Sequence, residues 1–423
     1  MRRMKASGIP WLGCVPQDWG ICKCKYVFSS YKIIVGEAHS SYERLALTMH
    51  GVIKRAKMDS QGLQPEDFES YQILKENDFV FKLIDLQNVS TSRVGLSQYT
   101  GIVSPAYIVL HAKAIDNRFA YYYFLMMWLS QIFNQLGNGG VRNSLTAQAL
   151  LNQPILLPSP CEQWCIAKWL DGATARIDSL KEKIAHEIEL LDGYKHSFIS
   201  EAVMGRIPQC TRTFKPSGIP WVREVPKEWK VAKVGYLLDE INRRSKDGQE
   251  EPLSMSQKLG IVPSREIEVA NPASSYVGAK IVSPGDLVLN KLKAHLGVFA
   301  ISKFEGLVSP DYAVYRAKED VSVEYLNYVF HTPPCISEFK RRITGVAVGF
   351  NRLYTSDLFK VSVPFPPLRE QREIAAMIKK RCEAIDSVIA KRKAEDERLD
   401  ALKRSLIAEA VTGKKAIYQG GGR

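Results

Sequence analysis

The residues of this 423-residue chain best suited to chemistry are arginines and asparagines set beside glycines. Gly137-Asn138-Gly139-Gly140-Val141-Arg142-Asn143 occupies a place that Gly345-Val346-Ala347-Val348-Gly349-Phe350-Asn351-Arg352 takes up again later in the chain. Glycines let a backbone approach a phosphate chain. An arginine offers two parallel donors to the major-groove edge of guanine, and an asparagine a donor–acceptor pair to adenine. Arg142, Asn143, Asn351 and Arg352 are therefore candidates for base contact, while a tight turn carrying an exposed arginine fits the same residues. Four basic clusters are candidates for phosphate contact: Lys54-Arg55-Lys57, Arg243-Arg244-Lys246, Lys291-Lys293-His295 and Lys340-Arg341-Arg342. Any one of them also fits a solvated face. Basic residues of this kind mark where a nucleic acid lies, not which sequence is read.

Other chemistries find little support. No GxxxxGK[ST] phosphate loop occurs, and the nearest approach to the Asn/Asp-Pro-Pro-aromatic motif of an amino-methyltransferase is Thr332-Pro333-Pro334-Cys335, which lacks both ends. The seven histidines form no cluster, and no Ser/His/Asp or Cys/His order appears twice. No catalytic residue is expected. The eight cysteines are scattered; Cys22 with Cys24 and Cys161 with Cys165 lack the spacing of a structural zinc site, so free thiols and no metal are expected. Lys and Arg outnumber Asp and Glu by 58 to 45, a net charge of +13, which points to a polyanionic partner, nucleic acid or an acidic membrane surface. The basic start Met1-Arg2-Arg3-Met4-Lys5 is not followed by the apolar core of a signal peptide. Residues 119–133 are apolar but fall short of the ~20 residues that span a bilayer. They read as a buried helix, and a cytoplasmic protein without a membrane partner is expected.

Candidates such as these need elements to position them, and the chain writes those elements twice. Ser7-Gly8-Ile9-Pro10-Trp11 returns as Ser217-Gly218-Ile219-Pro220-Trp221, followed in each copy by Val-Pro-x-x-Trp ending at Trp19 and Trp229. Gly101-Ile102-Val103-Ser104-Pro105-Ala106-Tyr107 returns as Gly306-Leu307-Val308-Ser309-Pro310-Asp311-Tyr312. Glu162-Gln163 returns as Glu370-Gln371, and Ser197-x-Ile199-x-Glu201-Ala202-Val203-x-Gly205 as Ser405-x-Ile407-x-Glu409-Ala410-Val411-x-Gly413. The offset is 210, then 205, then a constant 208 through the last third. Constant spacing is what a long helix imposes, since each added residue turns everything beyond it by about 100°. Variable spacing belongs to the loops of a globular head.

Residues 1–155 and 210–365 accordingly read as mixed α/β heads, with short strand-like runs between Gly, Pro, Asn and Ser. Residues 161–204 and 369–412 contain no proline, follow Pro158, Pro160, Pro366 and Pro367, and stop at Gly205 and Gly413, as long helices would. Leu170, Ile177, Ile184, Leu191 and Phe198 fall seven apart, as do Ile378, Ile385, Leu399 and Leu406 around an interrupting Arg392. A second seam position is assigned three residues on, to Ala173, Leu180 and Tyr194 and to Val388 and Leu402, interrupted by Glu187 and Glu395. Heptads sustained this long predict a coiled coil. A head–helix–head–helix chain pairs its helices antiparallel, giving a pseudo-twofold molecule.

The paired Ser-Gly-Ile-Pro-Trp openings, the Pro366-Pro367-Leu368-x-Glu370-Gln371 start of the second helix and the Ser-Leu-Ile-x-Glu-Ala-Val-x-Gly ending resemble type I restriction–modification specificity subunits, over nearly the whole chain. Pro158-Ser159-Pro160-Cys161-Glu162-Gln163 departs from the pattern by lacking the leucine before the acidic pair. The resemblance implies two target recognition domains, 1–155 and 209–365, helical spacers 156–208 and 366–415, and a flexible tail 416–423. It implies double-stranded DNA as ligand, read as a bipartite asymmetric target. Two adenine methyltransferase subunits and restriction/translocase subunits would be partners, supplying S-adenosylmethionine, ATP and Mg chemistry that this chain lacks. Charge agrees: residues 1–155 carry 16 basic against 11 acidic residues and 206–365 carry 23 against 17, while the first helical segment, 156–205, is acidic with 5 against 8. A coiled-coil scaffold associated with DNA but without sequence preference stays open as an alternative. So does a self-contained nuclease or methyltransferase.

Overall fold

The structure is a computed structural model that describes residues 2–417 apart from 50, 57–66, 87–91, 138–143, 208–211, 257–258, 268–274 and 344–351. Its contacts divide the chain into two compact units, Met1–Ala185 with Lys393–Arg423, and His186–Arg392. These units cut through the helical segments in mid-course and give each head a share of both long helices.

In the first unit the head holds two four-stranded sheets. One runs Gly51–Arg55, Arg44–Thr48, Gly101–Val103, Gln72–Leu74; the other runs Phe28–Ser29, Ile108–Ala112, Phe79–Phe81, Val94–Leu96. Gly101 is required where the strands meet, because a Cβ there would lie 2.5 Å from the Glu43 carbonyl oxygen. That close approach is why the Gly-x-Val-Ser-Pro motif opens on glycine. Residues 119–133 are largely buried, as expected, in the helix Asn117–Leu129 and the short helix Ile132–Leu136. Asp116 caps the longer helix, accepting from the Phe119 N–H at 2.8 Å.

The second unit repeats this frame. Leu238–Ile241, Tyr312–Ala317, Leu287–Asn290 and Phe299–Ile301 form its four-stranded sheet. Lys280–Val282 pairs with Gly306–Val308, and Gly306 meets the Glu251 carbonyl as Gly101 meets that of Glu43. Helices Val323–Phe330 and Pro333–Arg342 complete the core, with Ser322 capping the former.

The long helices run Pro160–Val203 and Leu368–Val411, 44 residues each, within a few residues of the sequence expectation. Each unit locks their ends in the same way. Trp19, fully buried, donates Nε1–H to Glu162 at 2.9 Å, and Trp229 donates to Glu370 at 3.0 Å. Arg2 and Arg212 pair with the same two carboxylates. Gln163 accepts from the Asp116 N–H and donates to the Pro158 carbonyl, and Gln371 does the same with Ser322 and Pro366. The repeated Glu-Gln pair is thus the joint between head and helix. The other helix end arrives at the same tryptophan. Gly413 (φ +70°) packs on Pro16 and Trp19, and Gly205 (φ +77°) on Pro226 and Trp229, where a Cβ would lie 2.3 and 2.4 Å from the proline ring.

Within each unit the helices pair antiparallel. In the first, Lys403 meets Asp178 at 2.6 Å and Lys181 meets Asp400 and Asp396. In the second, Arg392 meets Glu187 at 2.9 Å and Lys195 meets Asp386 at 2.7 Å. The main heptad stripe lies inside, with Leu170, Ile177, Ile184, Ile378 and Ile385 buried and Leu191, Phe198, Leu399 and Leu406 half-buried. The second seam does not lie where its apolar residues put it. Leu180, Tyr194, Val388 and Leu402 are 43–48% exposed, and the inner positions fall four residues on instead of three. Thr174, Lys181, Ile188 and Lys195 occupy them on one helix, Cys382, Ile389, Asp396 and Lys403 on the other. Lysine stems cover the seam while their ammonium groups reach acids across it, so a polar residue holds an inner place that the sequence pattern gave to leucine. Ile177→Ala is therefore expected to cost about 2–5 kcal/mol and Leu180→Ala less than about 1 kcal/mol. Urea unfolding of the full chain measures both; equal losses would restore the three-residue seam.

Candidate nucleic-acid interface

Of the sixteen candidate contact residues, Lys57, Arg142, Asn143 and Asn351 lie outside the described residues. The others form separate groups.

In the first head Lys54 and Arg55 end the strand Gly51–Arg55, and antiparallel pairing sets Arg55 opposite Arg44. Lys54 stands 3.6 Å from Glu43 and 5.4 Å from the centre of the Tyr99 ring. Tyr42, Glu43, Arg44, Lys54 and Arg55 line a surface cleft of about 440 Å³. Arg44 carried no sequence signal, being a single arginine at the head of the strand Arg-Leu-Ala-Leu-Thr; only the register with Gly51–Arg55 reveals it.

In the second head three stretches far apart in sequence converge. Lys291 and Lys293 stand on the 3-10 turn Lys291–Leu296, capped by Asn290. Helix Pro333–Arg342 packs on that turn, bringing Arg341 and Arg342 at its last turn. Both arginines pair with the buried Glu338, at 3.3 and 2.7 Å. Leu353 donates its N–H to the Lys291 carbonyl at 3.2 Å, which brings Arg352 to the same place. The turn that carries Lys291 and Lys293 thus packs against the helix that ends in Arg341 and Arg342, and is tied by a hydrogen bond to the residue after Arg352. Arg243 and Arg244 belong elsewhere, donating to Ser283 Oγ at 2.7 Å and the Gly278 carbonyl at 2.9 Å beside the strand Lys280–Val282.

The shared frame makes the heads comparable position by position, and their polar side chains differ. Lys280, with its side chain 5% exposed and 3.7 Å from Glu240, starts the strand that Gln72 starts in the first head. Burial holds its ammonium group below the usual lysine range. His111 meets Asp78 at 2.7 Å where Arg316 makes two hydrogen bonds to Asp286. Tyr31 stacks on His111 at 4.2 Å, and its counterpart is Ile241.

Among the described residues no group of three His, Cys, Asp or Glu is placed to hold a metal, and no helix is long and apolar enough to cross a membrane.

Comparison with known proteins places this pattern. The family model described as the type I restriction modification DNA specificity domain matches twice, over residues 37–190 and 226–395, which together make more than half of the chain. Each match begins in a head and ends in the following long helix. The putative type I restriction enzyme MjaX specificity subunit of Methanocaldococcus jannaschii is 24% identical over 435 residues, covering 95% of each chain. The type I restriction enzyme EcoDI specificity subunit of Escherichia coli is 19% identical over 84% of this chain and 83% of its own. Among solved structures, a chain from work on complex assembly and conformational transition of the type I R-M system superposes with a TM-score of 0.70 at 16% identity, covering 95% of this chain and 99% of that one. The HsdS subunit from Thermoanaerobacter tengcongensis does so with a TM-score of 0.52, also at 16% identity, over 95% of this chain and 98% of its own. These likenesses carry the fold; the two matched domains carry the family. The chain belongs to the type I restriction–modification DNA specificity family.

Proposed function

We propose that the chain reads a bipartite, asymmetric DNA target, one half per head, and directs partner adenine methyltransferase and restriction/translocase subunits to it without catalysing any step itself. The observation that carries this reading is the pairing of one frame with two sets of side chains that differ in their polar groups: Gln72 against Lys280, His111 against Arg316, Ala106 against Asp311. A frame kept while its polar groups change is what two different half-sites require, because base edges are told apart by donor and acceptor placement.

Repetition also supports two copies of one partner, the methyltransferase subunit. Tyr26 and Tyr236 end matching 3-10 turns and are 67% and 72% exposed. The exposed Leu180 and Leu402 belong to the first unit, as Tyr194 and Val388 do to the second. Apolar side chains repeated at matching exposed places suit two equivalent docking sites. S-adenosylmethionine, ATP and Mg would be bound by those partners and not by this chain, and the assembly would work in the cytoplasm.

Methylation mapping in a host carrying the chain with its partners tests the proposal. A two-part target with unlike halves and a fixed gap is expected, and the purified chain alone should show no methyltransfer, cleavage or ATP hydrolysis. A palindromic or uninterrupted target, or turnover by the chain alone, would contradict it. The scaffold reading predicts no target at all.

A further inference from the structure

The Ser-Pro-x-Tyr turn is built alike in both heads. Ala106 donates its N–H to Ser104 Oγ at 3.3 Å, and Asp311 donates to Ser309 Oγ at 3.3 Å. The segment entering the last strand of each head is also alike: Leu145 donates to the Leu83 carbonyl as Leu353 donates to that of Lys291. These two registers make Ala106 the counterpart of Asp311 and Ser144 the counterpart of Arg352. In the second head the two side chains meet, Arg352 Nη2 lying 3.2 Å from Asp311 Oδ1. In the first head both members are replaced, by side chains that form no such pair.

The backbone beside each partner of the contact is held. Leu353, next to Arg352, is fully buried, and the turn that carries Asp311 is closed by the Tyr312 N–H on the Ser309 carbonyl at 3.0 Å. Tyr312 in turn accepts from the Asn290 amide at 3.4 Å. The arginine side chain is only 32% exposed, and the residue after it bonds the carbonyl of Lys291, on the turn that also carries Lys293. A guanidinium carries five donors in a planar fork, and one oxygen on one terminal nitrogen leaves an edge for a second acceptor pair. Held in one rotamer, that edge loses less freedom on meeting the O6 and N7 of a guanine.

We propose that Asp311 is a positioning residue that aims Arg352 at a guanine in the half-site read by the second head. The first head lacks this device. The proposal rests on the two-half-site reading and adds one base and two residues to it.

The test uses the full chain assembled with its methyltransferase partners, and DNA panels in which each base pair of the mapped target is varied in turn. D311N keeps the side-chain shape and removes the charge; R352K keeps the charge and removes the fork. Each variant should lose preference for the same G·C pair of the second half-site, by roughly tenfold or more. The first half-site should be unaffected, and the double variant should lose no more than the single ones. Unchanged preference in D311N would overturn the proposal. So would equal weakening on every sequence with a salt slope lower by about one, the mark of a phosphate contact. Loss at both half-sites alike would also count against it. If the unaltered chain showed no two-part preference, the broader reading would fail, an outcome distinct from any of these.

Discussion

Trp229→Ala is expected to lower the stability of the second unit by about 3–5 kcal/mol, the range for a large aromatic removed from a closed core. Burial and two close contacts hold this side chain. Its ring is fully buried, its Nε1–H meets Glu370 at 3.0 Å, and Gly205 approaches so closely that a Cβ there would lie 3.1 Å from its edge. Alanine would empty the space and leave the Glu370 carboxylate, itself largely buried, with Arg212 as its partner among the described residues. Trp229→Phe keeps most of the ring and removes only the donor, so a smaller loss of about 1–3 kcal/mol is expected from it. Because the tryptophan holds one end of each long helix to the head, hydrogen exchange should speed in Ala202–Met204 and at the start of Leu368–Val411 together. A loss below about 1 kcal/mol, or faster exchange at only one of those places, would show that the tryptophan is not the joint.

Much of this was legible in the sequence, for identifiable reasons. The two long helices followed from proline-free segments between Pro158 or Pro366 and a terminal glycine, since backbone chemistry alone sets such limits. The role of the Glu-Gln pairs was not legible. Glu162 meets Trp19 and Arg2 across more than 140 positions, and nothing local in the sequence encodes that meeting. The second seam was misread because Leu180 and Leu402 outrank Lys181 and Lys403 in hydropathy. The ion pairs that hold those lysines inside involve acids on the opposite helix. The candidate contacts show the same divide. Clusters such as Arg341-Arg342 were visible as charge, whereas the packing of their helix on the turn that carries Lys291 was not. Arg44 escaped notice because it is a single charge whose neighbour Arg55 comes from another strand, and Asp311 was legible as a difference from Ala106 but not as the partner of Arg352.

The largest functional effect is expected from exchanging a whole head. Residues 209–365 begin and end beside the joints that this unit makes with its helices, at Arg212 with Glu370 and at Gln371 with Pro366. A donor head that keeps the tryptophan, the arginine and the Gly-x-Val-Ser-Pro strand should therefore seat on the same helix ends. The polar set at Lys280, Asp311, Arg316 and Arg352 would leave with the original head, and with it every base contact that head makes. Loss of a single good contact shifts preference by about 1–3 kcal/mol, so loss of the whole set should abolish the old half-site and install the donor's. The first head, with Gln72, His111 and the cleft at Arg44 and Lys54, is untouched. Methylation mapping of a host carrying the chimera and the unaltered partners measures the outcome directly. The account predicts a target with the first half and the gap retained and the second half replaced; a target changed in both halves, or in neither, would contradict it.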